Sequence, residues 1–370
     1  MNPQTSTMLL MGIGGAGCAM ARGVGRAFGE GLRFLLVDTD ARTGEAGGPF
    51  VLIGGDRLSG RGAGGDLVAG RLAAEDSVQM LDESLAGVRL AVILTALGGG
   101  TGGGATLEAV KHLSSRGIPT CVFATTPFTF EGEDRQRSAR GVMPMIEESA
   151  NATFFIPLDK LTAGGGDEME SAMRRAVDSL ASGVTLFWRL AEKPGYIRLD
   201  AERIRHLIAG AGRGRFATVT VQGPDRAAKA VDAIRRSPVL LAASGPVRAI
   251  LCGILAGNDL LLSELSVISD GMREAFGEKA AFSLATVNDE ETFSGRLAVV
   301  AMLFEADGRE EDSSQAPEPA TARGRRRKTR STLKAAPTGR GRFNNAEPTV
   351  WSGEDLDIPT FLRRNISLDL

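Results

Sequence analysis

Cysteine and histidine are scarce in this chain, and their scarcity excludes several kinds of site. The 370 residues include three cysteines, Cys18, Cys121 and Cys252, which lie far apart and form no CxxC pair. This spacing argues against a disulfide scaffold or a zinc ribbon and favours a reducing compartment. Only two histidines, His112 and His206, are present, so a histidine-rich metal site is excluded and no dedicated metal site is predicted.

Long hydrophobic runs are also missing. No uninterrupted apolar run reaches the ~18 residues typical of a membrane-spanning helix, and the first residues lack the basic flank and apolar core of a signal peptide. We therefore expect a cytoplasmic protein without a transmembrane segment. Because 43% of the residues are hydrophobic and the formal net charge is only −2, a wholly disordered chain is excluded as well.

Glycine is abundant and unevenly placed. More than half of the 48 glycines lie in the first 104 residues, and no third-residue repeat runs through them, which excludes collagen. Up to about residue 304, short apolar runs alternate with stretches of helical period. This alternation predicts an α/β fold with a parallel, Rossmann-like sheet. After a long helical pattern at Met169–Leu190, the chain is predicted to form a smaller mixed α/β domain. The last two strands of this domain, Ala281–Val287 and Gly295–Phe304, are predicted to pair with each other.

The composition changes sharply from Glu305 onward. Residues 305–318 are acidic and polar, whereas residues 321–342 hold nine Lys or Arg and no acid. Such a segment cannot bury enough apolar surface to offset its ordering entropy, so we interpret it as a disordered linker without specific nucleic-acid binding. Apolar residues return in a short cluster, DLDIPTFLRR at Asp355–Arg364, which is typical of a docking peptide on a tether.

Two glycine segments each join a predicted strand to a predicted helix. Gly12–Gly17 satisfies GxGxxG, with Asp38 about 20 residues further on, and alone would indicate NAD. The second segment, Gly98–Gly104, has six glycines in seven positions, which would cost several kcal/mol at ~0.5–1 each if they formed only a turn. Two such phosphate cradles imply one long polyphosphate, hence a nucleoside triphosphate. No GxxxxGK[ST] motif occurs, so the cradle is not a P-loop.

At these segments the chain resembles the tubulin/FtsZ superfamily, specifically bacterial FtsZ-like GTPases. GGGTGGG at Gly98–Gly104 resembles the signature GGGTGTG, and VDTDA at Val37–Ala41 and GRGAGG at Gly60–Gly65 resemble two further nucleotide loops. TTPFTFEGEDR at Thr125–Arg135 resembles TKPFxFEGxxR. The nucleotide contacts that the resemblance implies are Gly14, Gly15, Ala16, Gly17, Cys18, Ala19, Asp40, Gly64, Gly65, Gly98, Gly99, Gly100, Thr101, Gly102, Gly103, Gly104, Glu131, Arg135 and Asp178.

The resemblance also implies a function and an organisation. The ligand would be GTP, accompanied by Mg²⁺ or K⁺, with Glu131 at the ribose and Asp178 at the guanine edge. The protein would assemble head to tail at the division site. The implied segments are a GTP-binding domain (1–168), a central helix (169–195), an activation domain (196–304), a linker (305–353) and a docking peptide (354–370). Membrane-anchoring division proteins would contact Leu356, Asp357, Ile358, Pro359, Phe361 and Leu362.

The stretch GYIRLDAERI at Gly195–Ile204 departs from the family pattern GxINVDFADV. Asp200 keeps one of the two family acids, whereas Arg198 replaces the family Asn. Arg203 replaces the second acid, and the resemblance implies that this acid positions the attacking water in the next subunit's site. An arginine cannot accept a proton, so we expect slowed hydrolysis. Glu202 is a candidate substitute, although one residue turns a helix face by about 100°. If the filament geometry is kept, the two arginines would either clamp the neighbouring triphosphate or serve as surface charges.

Two alternatives stay open from the sequence. One is a non-hydrolysing FtsZ-like accessory filament protein, which the arginine at position 203 favours. The other is an NAD-dependent oxidoreductase built on Gly12–Gly17 and Asp38, which leaves Gly98–Gly104 without a role.

Overall fold

The computed structural model describes residues 6–29, 31–161, 169–199, 201–209, 211–241, 245–305, 350–351 and 354–355. The chain divides into two compact units, Met1–Glu310 and Glu311–Leu370. The first unit contains ten of the strands, which are β1 (Met8–Ile13), β2 (Phe34–Asp38), β3 (Phe50–Leu52), β4 (Leu90–Ala96), β5 (Thr120–Thr126), β6 (Ala152–Pro157), β7 (Gly212–Gln222), β8 (Val247–Ala256), β9 (Ala281–Asn288) and β10 (Arg296–Glu305).

Fourteen α-helices lie in the described parts of this unit. Their bounds are α1 (Gly14–Phe28), α2 (Arg42–Glu45), α3 (Gly55–Leu58), α4 (Leu67–Ser77), α5 (Asp82–Leu85), α6 (Gly100–Ser115), α7 (Glu133–Ser149), α8 (Leu158–Leu161), α9 (Met169–Glu192), α10 (Ala201–Ile208), α11 (Arg226–Arg235), α12 (Pro238–Leu241), α13 (Leu262–Phe276) and α14 (Glu290–Phe293). Among the described residues, no helix is both long and apolar enough to cross a bilayer.

The ten strands form one continuous sheet in the order β3-β2-β1-β4-β5-β6-β7-β10-β8-β9. All pairs from β3 to β7 are parallel, and β10 runs antiparallel to both of its neighbours. Strands β1 and β4 are apolar and almost wholly buried, as expected for a parallel sheet covered on both faces. The predicted α/β fold with a largely parallel sheet is confirmed.

Alternate side chains of β1 enter different cores. Met8 and Leu10 pack on the face covered by α9, whereas Leu9 and Met11 pack on the face covered by α6 and α7. A third core lies between α11, α13 and the last strands. The two-domain boundary predicted near residue 168 falls inside this unit, where β6 pairs with β7 and the Phe123 ring packs edge-on against that of Phe216 at 4.9 Å.

The predicted pairing of the last two strands is wrong. Strand β8 lies between β9 and β10, so the two strands that follow each other in sequence are not neighbours in the sheet. The polar connection is not a tight turn because it contains α14, whose start is capped by Asp289 and which buries Phe293. Strand β10 is buried along nearly its whole length, and it gains a hydrogen-bonded partner on each edge by inserting between β7 and β8.

In the second unit, β11 (Val350–Trp351) pairs antiparallel with β12 (Glu354–Asp355). These four residues are the part of that unit that the structure describes. The basic run at 321–342 and the candidate docking residues lie outside the described residues, as does Asp200. Their predicted roles therefore stay predictions.

Candidate nucleotide-binding site

The first glycine segment ends β1 and starts α1. Ile13 is the N-cap in an extended conformation, and Gly14 follows with φ +74°. No side chain caps this helix start and its first turn holds no acid. The backbone N–H groups of Gly14, Gly15 and Ala16 have no partner within a regular helix, and together with the helix dipole they suit an anion.

The second glycine segment is a shorter loop than predicted. Helix α6 already begins at Gly100, with Gly99 as an uncapped N-cap, so only Gly98 and Gly99 lie in the turn after β4. The N–H of Gly103 donates to Gly99 O, which leaves the first-turn N–H groups of Gly100, Thr101 and Gly102 for a ligand. The anion-binding part of this segment is therefore a helix start rather than a seven-residue cradle.

Close packing explains the remaining glycines of the signature. A Cβ on Gly102 would lie 2.0 Å from Ala96 O, and one on Gly104 would lie 2.4 Å from Leu67 O. Gly100 has the same constraint, because its Cβ would lie 2.4 Å from Asp66 O. Glycine at these positions lets the backbones of α4 and β4 approach α6. The sequence interpretation, in which all six glycines contact phosphate, missed this packing role.

The two helix starts face one cavity of about 260 Å³. They are close neighbours, since a Cβ on Gly14 would lie 3.2 Å from the backbone nitrogen of Gly102. The cavity is lined by Ile13, Gly14, Gly15, Ala16, Met20, Ala96, Leu97, Gly99, Gly100, Thr101, Gly102, Thr125, Pro127, Phe128, Glu131, Arg135, Leu158 and Val177. Nine of the predicted nucleotide contacts are among them.

Glu131 and Arg135 form another part of the cavity wall. Glu131 Oε1 accepts a hydrogen bond from Phe128 N at 2.9 Å, and its other oxygen pairs with Arg135. The Glu131 side chain is only 13% exposed and is held in one place by these contacts. Gln136, which does not line the cavity, stabilises the same wall by donating hydrogen bonds to Pro127 O at 2.8 Å and Phe128 O at 3.1 Å.

Other predicted contacts lie near the cavity without lining it. Cys18 is fully buried behind the loop, with its sulfur 3.3 Å from Gly12 O. Burial, followed by the charge of Asp38, raises the pKa of its thiol to about 12, so the thiol stays protonated and unreactive. Asp40 is held by Arg42, whose hydrogen bond lowers the pKa of that carboxyl. The remaining contacts that do not line the cavity are Gly17, Ala19, Gly64, Gly65, Gly98, Gly103, Gly104 and Asp178.

Asp178 and the loop with Gly64 and Gly65 are each connected to residues that line the cavity. Asp178 is exposed on α9 next to Val177, which does line it. The segment with Gly64 and Gly65 has positive φ at both glycines, as an open loop requires. That loop is tied to the site, because Gly62 N donates to Thr39 O and the Thr39 hydroxyl lies 2.6 Å from that of Thr101.

The predicted catalytic residues that the structure describes, Arg198, Glu202 and Arg203, do not line the cavity. Arg198 is exposed in the segment before α10, while Glu202 and Arg203 are exposed on α10 itself. Glu202 pairs with Arg205 and lies 3.4 Å from His206 on the same helix. Within the described residues, no group of three or more His, Cys, Asp or Glu is placed to hold a metal ion.

Sequence reasoning missed Thr39 and Thr95. Both are buried threonines at the carboxyl ends of parallel strands, where ligands of such sheets bind. A hydroxyl residue at the end of an otherwise apolar strand is the signal that could have found them.

Two uncapped glycine-rich helix starts that meet at the carboxyl ends of parallel strands are the site of a nucleotide-binding α/β protein. Residues 7–164 match the GTPase domain of the Tubulin/FtsZ family. The chain is 31% identical over 292 residues to the cell division protein FtsZ of Pseudomonas putida, covering 78% of this chain and 73% of that protein. A Pseudomonas aeruginosa relative of the same name is 31% identical over 291 residues, covering 77% of this chain and 74% of that protein.

Solved structures show the same fold. An empty FtsZ dimer of M. jannaschii has a TM-score of 0.76 at 23% identity and covers 82% of this chain and 89% of its own. CetZ2 from Haloferax volcanii, solved as a GTPγS-bound protofilament, has a TM-score of 0.68 at 21% identity. The match covers 83% of this chain and 95% of the CetZ2 chain. The 31% identity to the two Pseudomonas proteins, over about three quarters of each chain, shows that this chain belongs to the tubulin/FtsZ family of GTPases, which favours GTP over the NAD alternative.

Proposed function

We propose that this protein binds GTP between the starts of α1 and α6 and polymerises head to tail into filaments at the division site. The observation that carries the proposal is the pair of uncapped helix starts on one cavity, which directs six backbone N–H groups toward one anion. A triphosphate is long enough to contact both starts. Family membership supplies the nucleotide, GTP.

The remaining wall would hold the nucleoside. Glu131 would accept a hydrogen bond from the ribose, Arg135 would lie against the nucleotide, and Asp178 would bind the guanine edge from its position beside Val177. An accompanying Mg²⁺ or K⁺ would be held mainly through the phosphates. Glu131 is already oriented by Phe128 N, so it needs little reorganisation to take this role.

Hydrolysis would take place between subunits. Glu131 is the only carboxylate among the described residues that line the cavity, and it is engaged with Arg135. Asp200 and Glu202 belong to the stretch Gly195–Ile204, whose described part does not line the cavity of its own chain. A second copy placed head to tail would bring that stretch to the nucleotide, and self-association is known for the M. jannaschii dimer and the CetZ2 protofilament.

The same stretch carries the proposed slowing of hydrolysis. Arg203 stands where the family has its second acid, and an arginine cannot orient or deprotonate water as a carboxylate does. This residue also favours the second candidate function, an accessory filament protein that binds GTP without hydrolysing it.

The tail would provide the link to the membrane. We propose that Leu356–Leu362 dock on membrane-anchoring division proteins in the cytoplasm. Fluorescence anisotropy of a labelled peptide of residues 354–370 against candidate anchors, with Ile358→Asp as the matched variant, tests this part independently of the GTP site.

Right-angle light scattering of the full chain with GTP or GDP, combined with phosphate release, tests the main proposal. Scattering that rises with GTP, together with slow phosphate release that increases with protein concentration, supports a polymerising GTPase. Scattering without phosphate release favours the accessory protein. If the chain binds GTP but shows neither a rise in scattering nor phosphate release, that result would contradict the filament role.

A further inference from the structure

Thr95 connects the two helix starts through one hydroxyl group. This residue lies near the end of β4 and is fully buried. Its Oγ1 donates to Gly102 O at 2.9 Å and to Ile13 O at 3.2 Å. Because a hydroxyl carries a single proton, the two carbonyls share it as a bifurcated bond.

Both carbonyls belong to the anion-binding elements. Ile13 is the N-cap of α1, and Gly102 lies in the first turn of α6. The two elements are in backbone contact through Gly14 and Gly102, so a small shift of either helix changes the spacing of their N–H groups. Thr95 itself does not line the cavity, and its hydroxyl therefore acts on the backbone rather than on a ligand.

The chemistry of this position supports more than a packing role. Each carbonyl also accepts the backbone N–H four residues further along its own helix, so the Thr95 hydroxyl is a second donor to both. The shared hydroxyl links the two carbonyls and offsets their negative partial charge close to the place where phosphates would lie, and it thereby sets the distance between the two helices. Valine has nearly the same shape, so packing alone would not require the oxygen.

We propose that Thr95 is a positioning residue of the nucleotide site. Its hydroxyl holds the starts of α1 and α6 at the spacing at which their N–H groups contact one polyphosphate. This inference rests on the proposed GTP binding and adds to it a residue that touches neither the nucleotide nor the catalytic stretch.

The test compares threonine variants at two strand positions. Thr95→Val removes the hydroxyl and keeps the shape, whereas Thr95→Ser keeps the hydroxyl. Thr153→Val is the matched control, because Thr153 is also fully buried in a parallel strand and donates to one carbonyl, Gly212 O at 3.0 Å, away from the cavity. Each variant is titrated with a fluorescent GTP analogue, and its thermal unfolding is recorded.

We expect Thr95→Val to weaken GTP binding about tenfold, the equivalent of one strong hydrogen bond, and Thr95→Ser to stay within about twofold of the wild type. Thr153→Val should lower the unfolding temperature without weakening GTP binding. Unchanged GTP binding in Thr95→Val, or equal weakening in Thr153→Val, overturns the inference.

If Thr95→Val does not fold, Thr95→Cys against Thr95→Ser makes the same comparison, because a thiol is a weak donor. Weaker GTP binding in the cysteine variant alone supports the inference, and equal binding overturns it. Failure of the wild type to bind GTP would instead overturn the proposed function.

Discussion

Gly14 and Gly102 lie in direct backbone contact, although 88 positions separate them in the sequence. One glycine starts α1 and the other lies in the first turn of α6. A Cβ on Gly14 would make a tight contact of 3.2 Å with Gly102 N, at a φ of +74° that side chains rarely adopt, and a Cβ on Gly102 would clash with Ala96 O. The contact makes one anion site out of two helix starts, and it gives the first prediction.

Gly102→Ala should weaken GTP binding at least tenfold and destabilise the fold by about 1–3 kcal/mol, because overpacking forces the backbone to move. Its Cβ would lie 2.0 Å from Ala96 O. The matched control is Gly141→Ala, a helix-interior glycine of α7 with nothing within 4 Å of an added Cβ. We expect that control to be stabilised by about 0.5–1 kcal/mol. Calorimetric GTP titration and chemical unfolding measure both effects, and equal behaviour of the two variants would contradict the packing argument.

Arg203→Asp should raise GTP turnover about tenfold or more, since it restores a carboxylate that can position water. Phosphate release at a protein concentration that supports assembly is the measurement. The control is Arg236→Asp, another exposed arginine, whose partner is Asp232 at 2.9 Å. No rise in Arg203→Asp, or the same rise in the control, would show that position 203 does not limit hydrolysis.

The three thiols should be unreactive in the folded protein. Cys18, Cys121 and Cys252 are all buried, and burial raises each thiol pKa to about 12, so the thiolate is scarce at pH 8. Reaction with Ellman's reagent should give no fast phase in the native protein and three thiols per chain in denaturant. A fast native phase that disappears in Cys18→Ser would mean that the first helix start is open to solvent.

A partly buried ion-pair cluster should make stability depend on acid pH. Arg226 binds Glu264 through two hydrogen bonds, of 2.7 and 3.0 Å, and also pairs with Asp259. The hydrogen bond from Arg226 is the main cause that lowers the pKa of Glu264 below its ordinary value of 4.5. A lowered folded-state pKa adds stability above the ordinary value, and that stability is lost as the pH falls through the folded-state pKa.

Glu264→Gln should therefore lower the free energy of unfolding by about 1–3 kcal/mol at pH 7, with a smaller difference at pH values well below 4.5. Glu274→Gln on the same helix is the control, because Glu274 is 70% exposed and should contribute about 0–1 kcal/mol. Urea unfolding at pH 7 and at a series of lower pH values that passes through the folded-state pKa of Glu264 measures both variants. A Glu264→Gln difference that grows on acidification would contradict the assigned role of Arg226.

Local sequence patterns predict most of this fold. Apolar runs such as Leu90–Ala96 mark buried parallel strands because both faces of such a strand are covered. Strand neighbours are harder to predict, since they depend on contacts between distant segments. Nothing in the local sequence of Ala281–Asn288 shows that β8 separates it from β10.

The candidate site, like the fold, is predicted from the sequence only in part. The glycine patterns predict two helix starts on one anion, because backbone N–H groups need close approach. They do not show that Gly102 and Gly104 are required by packing against Ala96 O and Leu67 O, which lie on other elements. Thr95 is missed for a related reason, since its two carbonyl partners are known only when the strands are placed.

The central claim, that this cavity holds one GTP, is tested most directly by equilibrium dialysis. The full chain, freed of nucleotide, is dialysed against radiolabelled GTP with excess unlabelled GDP or NAD⁺ as competitor. The account predicts about one GTP per chain, displaced by GDP and not by NAD⁺, because two helix starts on a single cavity form one polyphosphate site. Absence of saturable GTP binding, or its displacement by NAD⁺, would contradict the account.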